Sequence, residues 1–361
     1  MKSGNSDSPV TIRLAAESNT LQRTDSRRVL AFYKFVPVGD PATVQQDLQQ
    51  LGEALQIKGT ILLANEGVNG TVVGTPEGLG KLQQALTQWF GELPFKWSEI
   101  NVENPAFLRY KVRVKPEIVS FGVPDLDLSK TGTHVGVAEW NDLLSDPEVV
   151  VIDTRNQYEI DIGTFRNAVS PQTNSFREFP EWVEENLKVE SQPRIAMFCT
   201  GGIRCEKASS YLLQQGFGEV YQLDGGILRY LENVAPDDSL WDGECFVFDQ
   251  RVSVTPELTQ GQYQQCFACR HPLSEADLKA PEFEQGVSCP HCLDAVTEER
   301  RQQFRERQKQ IALARQRGQQ HIGQQHIGQQ QKRAGQKRAG QKGSEQKGLP
   351  QKGSAQDTSQ Q

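Results

Sequence analysis

Two short apolar runs, each long enough for one buried strand, constrain the fold of this 361-residue chain most strongly. Val149–Asp153 and Arg194–Phe198 have the composition of parallel strands covered on both faces. Val220–Leu223 is a third strand candidate, and helical patterns such as residues 204–215 lie between these runs. Alternating strands and helices predict a parallel α/β sheet, whose sites gather beyond the carboxyl ends of the strands.

The first third of the chain follows a different order. Strand-like runs at residues 29–36, 58–64, 68–73, 95–101 and 107–114 alternate with helical patterns at residues 40–56 and 75–90. The order strand, helix, strand, strand, helix, strand predicts a ferredoxin-like α+β domain over residues 29–123. The turn at residues 65–70 is interpreted as a hairpin turn. The glycines at 74–80 lack the spacing and the hydroxyl residue of a phosphate-binding loop, so no nucleotide site is predicted.

A cysteine follows the apolar run at residues 194–198. The loop that it opens continues with Thr200, Gly201, Gly202, Ile203 and Arg204. Two glycines permit a tight backbone curl, and a helix that begins near Arg204 adds the positive end of its dipole. These features predict a Cys199 thiolate, or a terminal persulfide, that is stabilised by backbone N–H groups and has a lowered pKa. The alternative of an inert buried cysteine is disfavoured by the adjoining glycines and helix start.

The length of this loop separates two chemistries. Cysteine phosphatases place one more residue between the cysteine and the anion-binding arginine than this chain places between Cys199 and Arg204. The shorter loop, together with Asp153 and Arg155 after an earlier strand, resembles the rhodanese domain, here residues 134–243. That resemblance implies a supporting role for Asp153 and Arg155. Cys205 is a candidate to resolve an oxidised Cys199, although packing is favoured.

The other cysteines point to a metal. The chain contains seven, an odd number that argues against a disulfide framework, and Cys245 is assigned no role. Two C-x-x-C pairs within residues 244–296 predict a closed tetrahedral zinc site of structural type. His271 and His291 break the ligand spacing and are predicted to lie outside the coordination sphere. The predicted ligands are Cys266, Cys269, Cys289 and Cys292.

Charge is distributed unevenly along the chain. Residues 300–361 contain 14 Lys and Arg against 3 Asp and Glu, whereas the whole chain contains 39 and 46. A basic helix is predicted at residues 297–317, and disorder is predicted at residues 1–28 and in the Gln/Gly/Lys-rich segment 318–361. The helix favours contact with a nucleic-acid backbone, with passive solvation as the alternative. No signal peptide or membrane-spanning run is found, so a cytoplasmic location is expected.

Taken together, these segments resemble the tRNA uridine(34) hydroxylase family. The resemblance covers residues 29–327 and is carried by the turn at 64–71, residues 111–119, 153–156 and 163–165, both C-x-x-C pairs and residues 306–311. Its most specific part is residues 199–209. The resemblance implies oxygen-dependent 5-hydroxylation of uridine at wobble position 34, with tRNA bound through its anticodon region and Cys199 essential. It also suggests that the turn at 65–70 faces RNA.

Three functions remain open on the residues alone. The first is the hydroxylase, with molecular oxygen as co-substrate and an electron donor that the sequence does not identify. The second is a sulfurtransferase that carries sulfane sulfur as a Cys199 persulfide to a tRNA or a protein. The third is a zinc-dependent RNA-binding module with an idle rhodanese domain, which the intact Cys199 loop disfavours.

Overall fold

A computed structural model of the chain describes residues 27–99, 107 and 109–316. The chain divides into two compact units, Met1–Ile118 and Val119–Gln361. Predictions for residues 1–26, 100–106, 108 and 317–361 lie outside the described residues. The strands of the first unit are β1 (Arg28–Phe35), β2 (Lys58–Ala64), β3 (Gly67–Gly74), β4 (Phe95–Glu99) and β5 (Tyr110–Val114), and its helices are α1 (Pro41–Ala54) and α2 (Pro76–Phe90).

The first unit confirms the ferredoxin-like prediction. Its strands form one sheet in the order β4-β1-β3-β2-β5, antiparallel except for the parallel pair β2 and β5. Both helices begin where the helical patterns of the sequence start, directly after Asp40 and Thr75. The Asp40 carboxylate accepts the backbone N–H groups of Ala42 and Thr43, and the Thr75 hydroxyl accepts that of Gly78. β1 begins at Arg28, inside the segment predicted to be disordered.

One face of this sheet carries the hydrophobic core. Helices α1 and α2 pack against it through residues such as Leu48 and Leu82, which meet Phe32 and Ile61 of the sheet. Alternation along each strand directs every second side chain to the opposite face. The strands are therefore mostly apolar on the side that the helices cover, and Lys34 on that side donates to the Phe90 carbonyl at the end of α2.

The hairpin turn between β2 and β3 holds the end of the first unit. The Glu66 carboxylate accepts the Ile118 N–H at 2.7 Å, and the Asn69 side-chain amide donates to the Ile118 carbonyl at 3.1 Å. The unit ends at Ile118, before the predicted boundary at residue 123, because Phe121 packs between Phe176 and Tyr211 of the second unit.

The second unit is built on a parallel sheet of four strands. Its strands follow the order β6 (Thr133–Val135), β10 (Val220–Leu223), β9 (Arg194–Phe198) and β7 (Val149–Asp153). The three predicted strands have the observed bounds, and β6 adds a fourth strand at one edge of the sheet. The further elements of this region are α3 (Val137–Ser145), α4 (Gln157–Ile160), β8 (Gly163–Phe165), α5 (Phe179–Asn186), α6 (Ile203–Gln214) and α7 (Gly226–Asn233).

An aromatic core supports the carboxyl end of β9. The Phe165 ring lies 4.8 Å from the Phe198 ring, 4.7 Å from that of Tyr230 and 5.1 Å from that of Trp241, all edge to face. Each of these rings is buried. Because Phe198 precedes Cys199, this packing fixes the position from which the cysteine loop starts.

Small hairpins and two helices complete the second unit. Strand β8 pairs with the strand Trp241–Gly243, and four further short strands form two more pairs. These elements are β11 (Trp241–Gly243), β12 (Cys245–Phe246), β13 (Ser253–Val254), β14 (Gln264–Gln265), β15 (Pro272–Leu273), α8 (Glu275–Lys279) and α9 (Glu298–Gln316). Within the described residues, no helix combines the length and the hydrophobicity needed to cross a membrane.

Helix α9 is anchored, despite its high charge. Phe304 and Ile311, seven positions apart on one side of the helix, are buried. Arg305 forms ion pairs with Glu284 and Glu298, and the Arg301 guanidinium donates to two backbone carbonyls. Two of the arginines on which the prediction of nucleic-acid contact depended, Arg301 and Arg305, are therefore used within the unit.

Candidate functional site

The Cys199 loop connects β9 to α6 and curls around the sulfur. The backbone N–H of Gly202 donates to the Cys199 Sγ at 3.1 Å. Gly202 has φ 99°, a conformation that favours glycine, so the curl depends on the residue type at this position. Cys199 is fully buried. The sulfur is therefore held by backbone donors and is out of contact with bulk solvent.

The start of α7 closes the loop from the other side. The N–H groups of Ile227 and Leu228 donate to the carbonyls of Cys199 and Thr200 at 3.0 and 3.2 Å. A Cβ atom at Gly226 would lie 2.4 Å from the Cys199 carbonyl oxygen. A side chain at residue 226 is thus incompatible with this loop.

Several groups stabilise the Cys199 thiolate. Burial raises the pKa of Cys199, but this effect is outweighed by hydrogen bonding from the Cys205 thiol, by the Arg204 guanidinium and by backbone N–H groups, so that the pKa falls to about 5. The pKa of Cys205 is raised by burial and by its hydrogen bond with Cys199. At neutral pH the pair is a thiolate beside a thiol. Cys205 therefore contacts the reactive sulfur, in addition to packing in the helix.

A buried ion pair orients Arg204. Its two Nη atoms lie 2.7 and 2.8 Å from the two carboxylate oxygens of Glu159, and both side chains are buried. The Thr200 hydroxyl lies 3.5 Å from the same carboxylate. Bidentate pairing fixes the guanidinium plane. Glu159 was absent from the residues predicted to form the site, because its only sequence signal is the Asn156-x-x-Glu159 pattern of a helix start.

Asp153 and Arg155 form a second buried ion pair next to the first. Arg155 donates to the Asp153 carboxylate at 2.9 and 2.6 Å, to the Gly163 carbonyl and to the Glu159 carbonyl. Both residues are fully buried. The two residues predicted to support the loop thus connect the end of β7 to the backbone of Glu159, which in turn holds Arg204.

An aromatic residue that the sequence did not single out flanks Arg204. Phe248 is 59% exposed, although large apolar side chains of this unit are mostly buried. Its ring lies 5.9 Å from the Arg204 guanidinium carbon and 5.1 Å from the Phe246 ring. A bidentate ion pair between Asp249 and Arg251 braces the same turn. Phe248 is therefore a solvent-facing ring on a well-supported turn beside the Cys199 loop.

The four cysteines of the two C-x-x-C pairs come together. Their sulfur atoms all lie within 4.8 Å of one another, with 3.8 Å between Cys269 and Cys289 and 3.6 Å between Cys289 and Cys292. Sulfurs at the corners of a tetrahedron with Zn–S bonds of about 2.3 Å are about 3.8 Å apart. The geometry and the soft donor set fit zinc, and four sulfurs leave no open position. His271 and His291 stack on each other, 3.8 Å between ring centroids, and neither belongs to this set.

Comparison with known proteins places the chain in a family. Residues 27–118 match the family described as UPF0176 acylphosphatase like domain, and residues 137–233 match the rhodanese-like domain. A tRNA uridine(34) hydroxylase from Rhizobium leguminosarum bv. trifolii (strain WSM2304) is 50% identical over 306 residues, which are 84% of this chain and 99% of that protein. The chain belongs to the tRNA uridine(34) hydroxylase family.

Solved structures resemble single domains of this family member. A rhodanese-like domain from Anabaena sp. is 16% identical and covers 31% of this chain and 80% of its own, with a TM-score of 0.26. An acylphosphatase from Coxiella burnetii is 17% identical and covers 26% of this chain and 99% of its own, with a TM-score of 0.20. At these values neither structure bears on the function of the hydroxylase family member.

Proposed function

We propose that this chain hydroxylates uridine 34 of tRNA at carbon 5, at the wobble position of the anticodon, with Cys199 as the essential residue. The observation that carries the proposal is 50% identity over 84% of the chain to a tRNA uridine(34) hydroxylase. The thiolate loop supports it, because the chain retains a buried cysteine of low pKa with its positioning arginine. A tRNA substrate is met in the cytoplasm, where we place the chain.

The residues around the sulfur have distinct proposed roles. Cys199 supplies an anionic sulfur at neutral pH, and the loop from Thr200 to Ile203 holds that anion through backbone N–H groups. Arg204 provides the compensating positive charge, and Asp153 and Arg155 hold the loop's supports in place. Hydroxylation by molecular oxygen puts one oxygen atom into the base and releases the other as water, which consumes two electrons and two protons. We propose that a separate donor supplies these electrons.

Zinc is the metal we propose for the four-cysteine site. Cys266, Cys269, Cys289 and Cys292 would hold it, and bound zinc would cross-link the two C-x-x-C turns. Phe304 of α9 packs in the same apolar cluster as these cysteines. The metal would therefore organise this region and the helix that leaves it, without taking part in the reaction.

A second function is favoured by one observation. The loop directs the Gly202 N–H at the sulfur, and a cradle of backbone donors also suits the terminal sulfur of a persulfide. A Cys199 persulfide could pass its outer sulfur to a tRNA or a protein. The two functions leave different atoms in the product, oxygen in one case and sulfur in the other.

Nucleoside analysis of tRNA from a deletion strain tests the proposal. Adding one oxygen and exchanging oxygen for sulfur change the nucleoside mass almost equally, so accurate-mass spectrometry and growth under heavy-isotope oxygen gas are both required. We expect loss of a uridine whose extra oxygen comes from the gas, and its return with the intact chain. Loss of a sulfur-containing uridine instead would refute hydroxylation and support sulfur transfer.

Two alanine variants make this test specific for the sulfur. Cys199→Ala should fail to restore the modification. Cys245→Ala is the matched control, because Cys245 is equally buried and donates to the Phe246 carbonyl. If Cys199→Ala restored the modification fully, the rhodanese domain would be idle and the chain would act as an RNA-binding module.

A further inference from the structure

The sheet of the first unit has a second face, opposite to α1 and α2. Strand register assigns side chains to it, because residues paired with Thr60 or Thr71 point the same way as these threonines. The row that crosses the sheet at this level is Lys111, Thr60, Thr71, Ala31 and Lys96. The helices cover the other face, where Ile61, Val72 and Phe32 are buried.

The side chains at the centre of this second face are short and partly exposed to solvent. Ala31, Thr60 and Thr71 have small side chains and are each partly exposed, although they lie on the three inner strands of a five-stranded sheet. Larger side chains stand at both edges of the row, on β5 and β4. The face is therefore a shallow trough across the strands. Its floor at this level is two threonines and an alanine, and in the next row Val29 and Val73 are buried against Phe107.

The rim of the trough is cationic. Lys111 and Arg113 lie on β5, Lys58 lies on the neighbouring β2, and Lys96 lies on the opposite edge strand. The described strand residues that point to this face include no Asp or Glu. Burial lowers the pKa of Lys111, and the positive charges of Arg113 and Arg109 lower it further, as expected for like charges held close together. A cluster of this kind favours a polyanion.

The spacing along β5 fits an extended phosphate chain. Alternate residues on one face of a strand are about 6.8 Å apart, close to the separation of neighbouring phosphates in a single RNA strand. Tyr33 lies on the same face, in the row that contains Arg113, and an aromatic ring beside a cationic groove is a common platform for unstacked bases. Charge, spacing and an aromatic ring thus point to one kind of ligand.

We propose that this cationic sheet face binds a single-stranded part of the RNA substrate through its phosphates. The inference rests on the proposed function and adds to it the surface that holds the RNA. The two surfaces that the sequence suggested are occupied by contacts within the protein. The turn at 65–70 uses Glu66 and Asn69 to hold Ile118, and α9 uses Arg305 to bind Glu284.

Charge reversal on β5 tests the inference in the full chain. The variant Lys111→Glu with Arg113→Glu is compared with Lys81→Glu and Lys130→Glu, which make the same change of net charge at two exposed positions elsewhere. Binding of a fluorescent, unmodified tRNA transcript is measured by anisotropy over a range of salt concentrations. Thermal melting of both variants checks that the fold is retained. If the charge-reversal variant has a lower melting temperature than the parent, Lys111→Gln with Arg113→Gln is used in its place.

The expected result is a selective loss for the β5 variant. Each phosphate contact to a single strand contributes about 0.7 to the salt slope, so two lost contacts should reduce it by about 1.4, and the dissociation constant should rise on the order of tenfold. The control should bind as the parent does. Equal binding by the β5 variant and the parent overturns the inference. The inference is also overturned if the β5 variant binds tRNA as the parent does but no longer binds vesicles of phosphatidylglycerol and phosphatidylcholine, because that result would identify a lipid-binding surface.

This experiment is independent of the chemistry. It measures binding without turnover, so persistence of the hydroxylated uridine in the deletion strain would refute the proposed function and leave the binding result standing. For an active enzyme, the β5 variant should raise KM for tRNA and leave kcat unchanged. A fall in kcat at saturating tRNA would instead indicate that the face acts on the reaction centre.

Discussion

Replacing Cys205 with alanine should raise the pKa of Cys199. The Cys205 thiol is the strongest of the groups that lower this pKa, ahead of the Arg204 guanidinium. Hydrogen bonds to charged groups contribute about 1.5–3 kcal/mol, and a thiol is a weak donor that belongs at the lower end. Since about 1.4 kcal/mol corresponds to one pKa unit, we expect the pKa of Cys199 to rise by about one unit.

Ultraviolet thiolate absorbance measures this pKa directly. Because Cys199 is fully buried, alkylation rates would report opening of the loop as well as ionisation, so they serve only as a second readout. The titration is taken as the difference between each protein and its Cys199→Ala counterpart, which removes the signal of the other cysteines. Cys205→Ser, which keeps a donor, should retain the low pKa, and Cys245→Ala should leave it unaltered. An unchanged pKa in Cys205→Ala, or an equal shift in Cys245→Ala, would refute the proposed thiol contact.

Three further predictions concern stability. The pKa of Cys199 falls from 9.0 to about 5 on folding, so its ionisation stabilises the fold fully above pH 9, and this contribution is lost as the pH falls to 5. The difference in free energy of unfolding between the parent chain and Cys199→Ala, measured with denaturant, should therefore grow from pH 5 to pH 9. A difference that stays constant with pH would contradict the shift. Glu159→Gln breaks a buried ion pair with Arg204 and should cost about 3–5 kcal/mol in the same assay, whereas Asp242→Asn, in an exposed pair, should change little. The chain should release one zinc ion to a strong chelator, after which α9 becomes sensitive to proteolysis; a metal-free protein with unchanged cleavage would disprove the structural role.

Much of the fold was predictable because its signals are local. The strands β7, β9 and β10 are apolar runs with polar ends, and the caps Asp40 and Thr75 mark the helices that they begin. The small hairpins were missed because two or three residues are too few to show a period. The anchoring of α9 was missed for another reason, since Glu284, which neutralises Arg305, lies 21 residues away in sequence.

The candidate site divides in the same way. The Cys199 loop is continuous in sequence, so its glycines, its arginine and its helix start could be interpreted together. Glu159 reaches Arg204 across 45 residues, and nothing local distinguishes its carboxylate from those of other helix starts. Phe248 was equally hidden, because its proximity to Arg204 depends on how the last part of the second unit folds back. Both residues reach the site through packing between segments that are distant in sequence, and the sequence alone does not reveal this packing.

The contact between Gly226 and the Cys199 carbonyl has a consequence for judging other members of the family. The shape of the reactive loop depends on a residue that has no side chain, performs no chemistry and lies 27 positions downstream. A homologue that kept its cysteine but carried alanine or a larger residue at the equivalent of 226 would have to open the curl, turning donors away from the sulfur. A residue other than glycine at position 226 would therefore indicate an inactive loop, even in a protein that retains the cysteine.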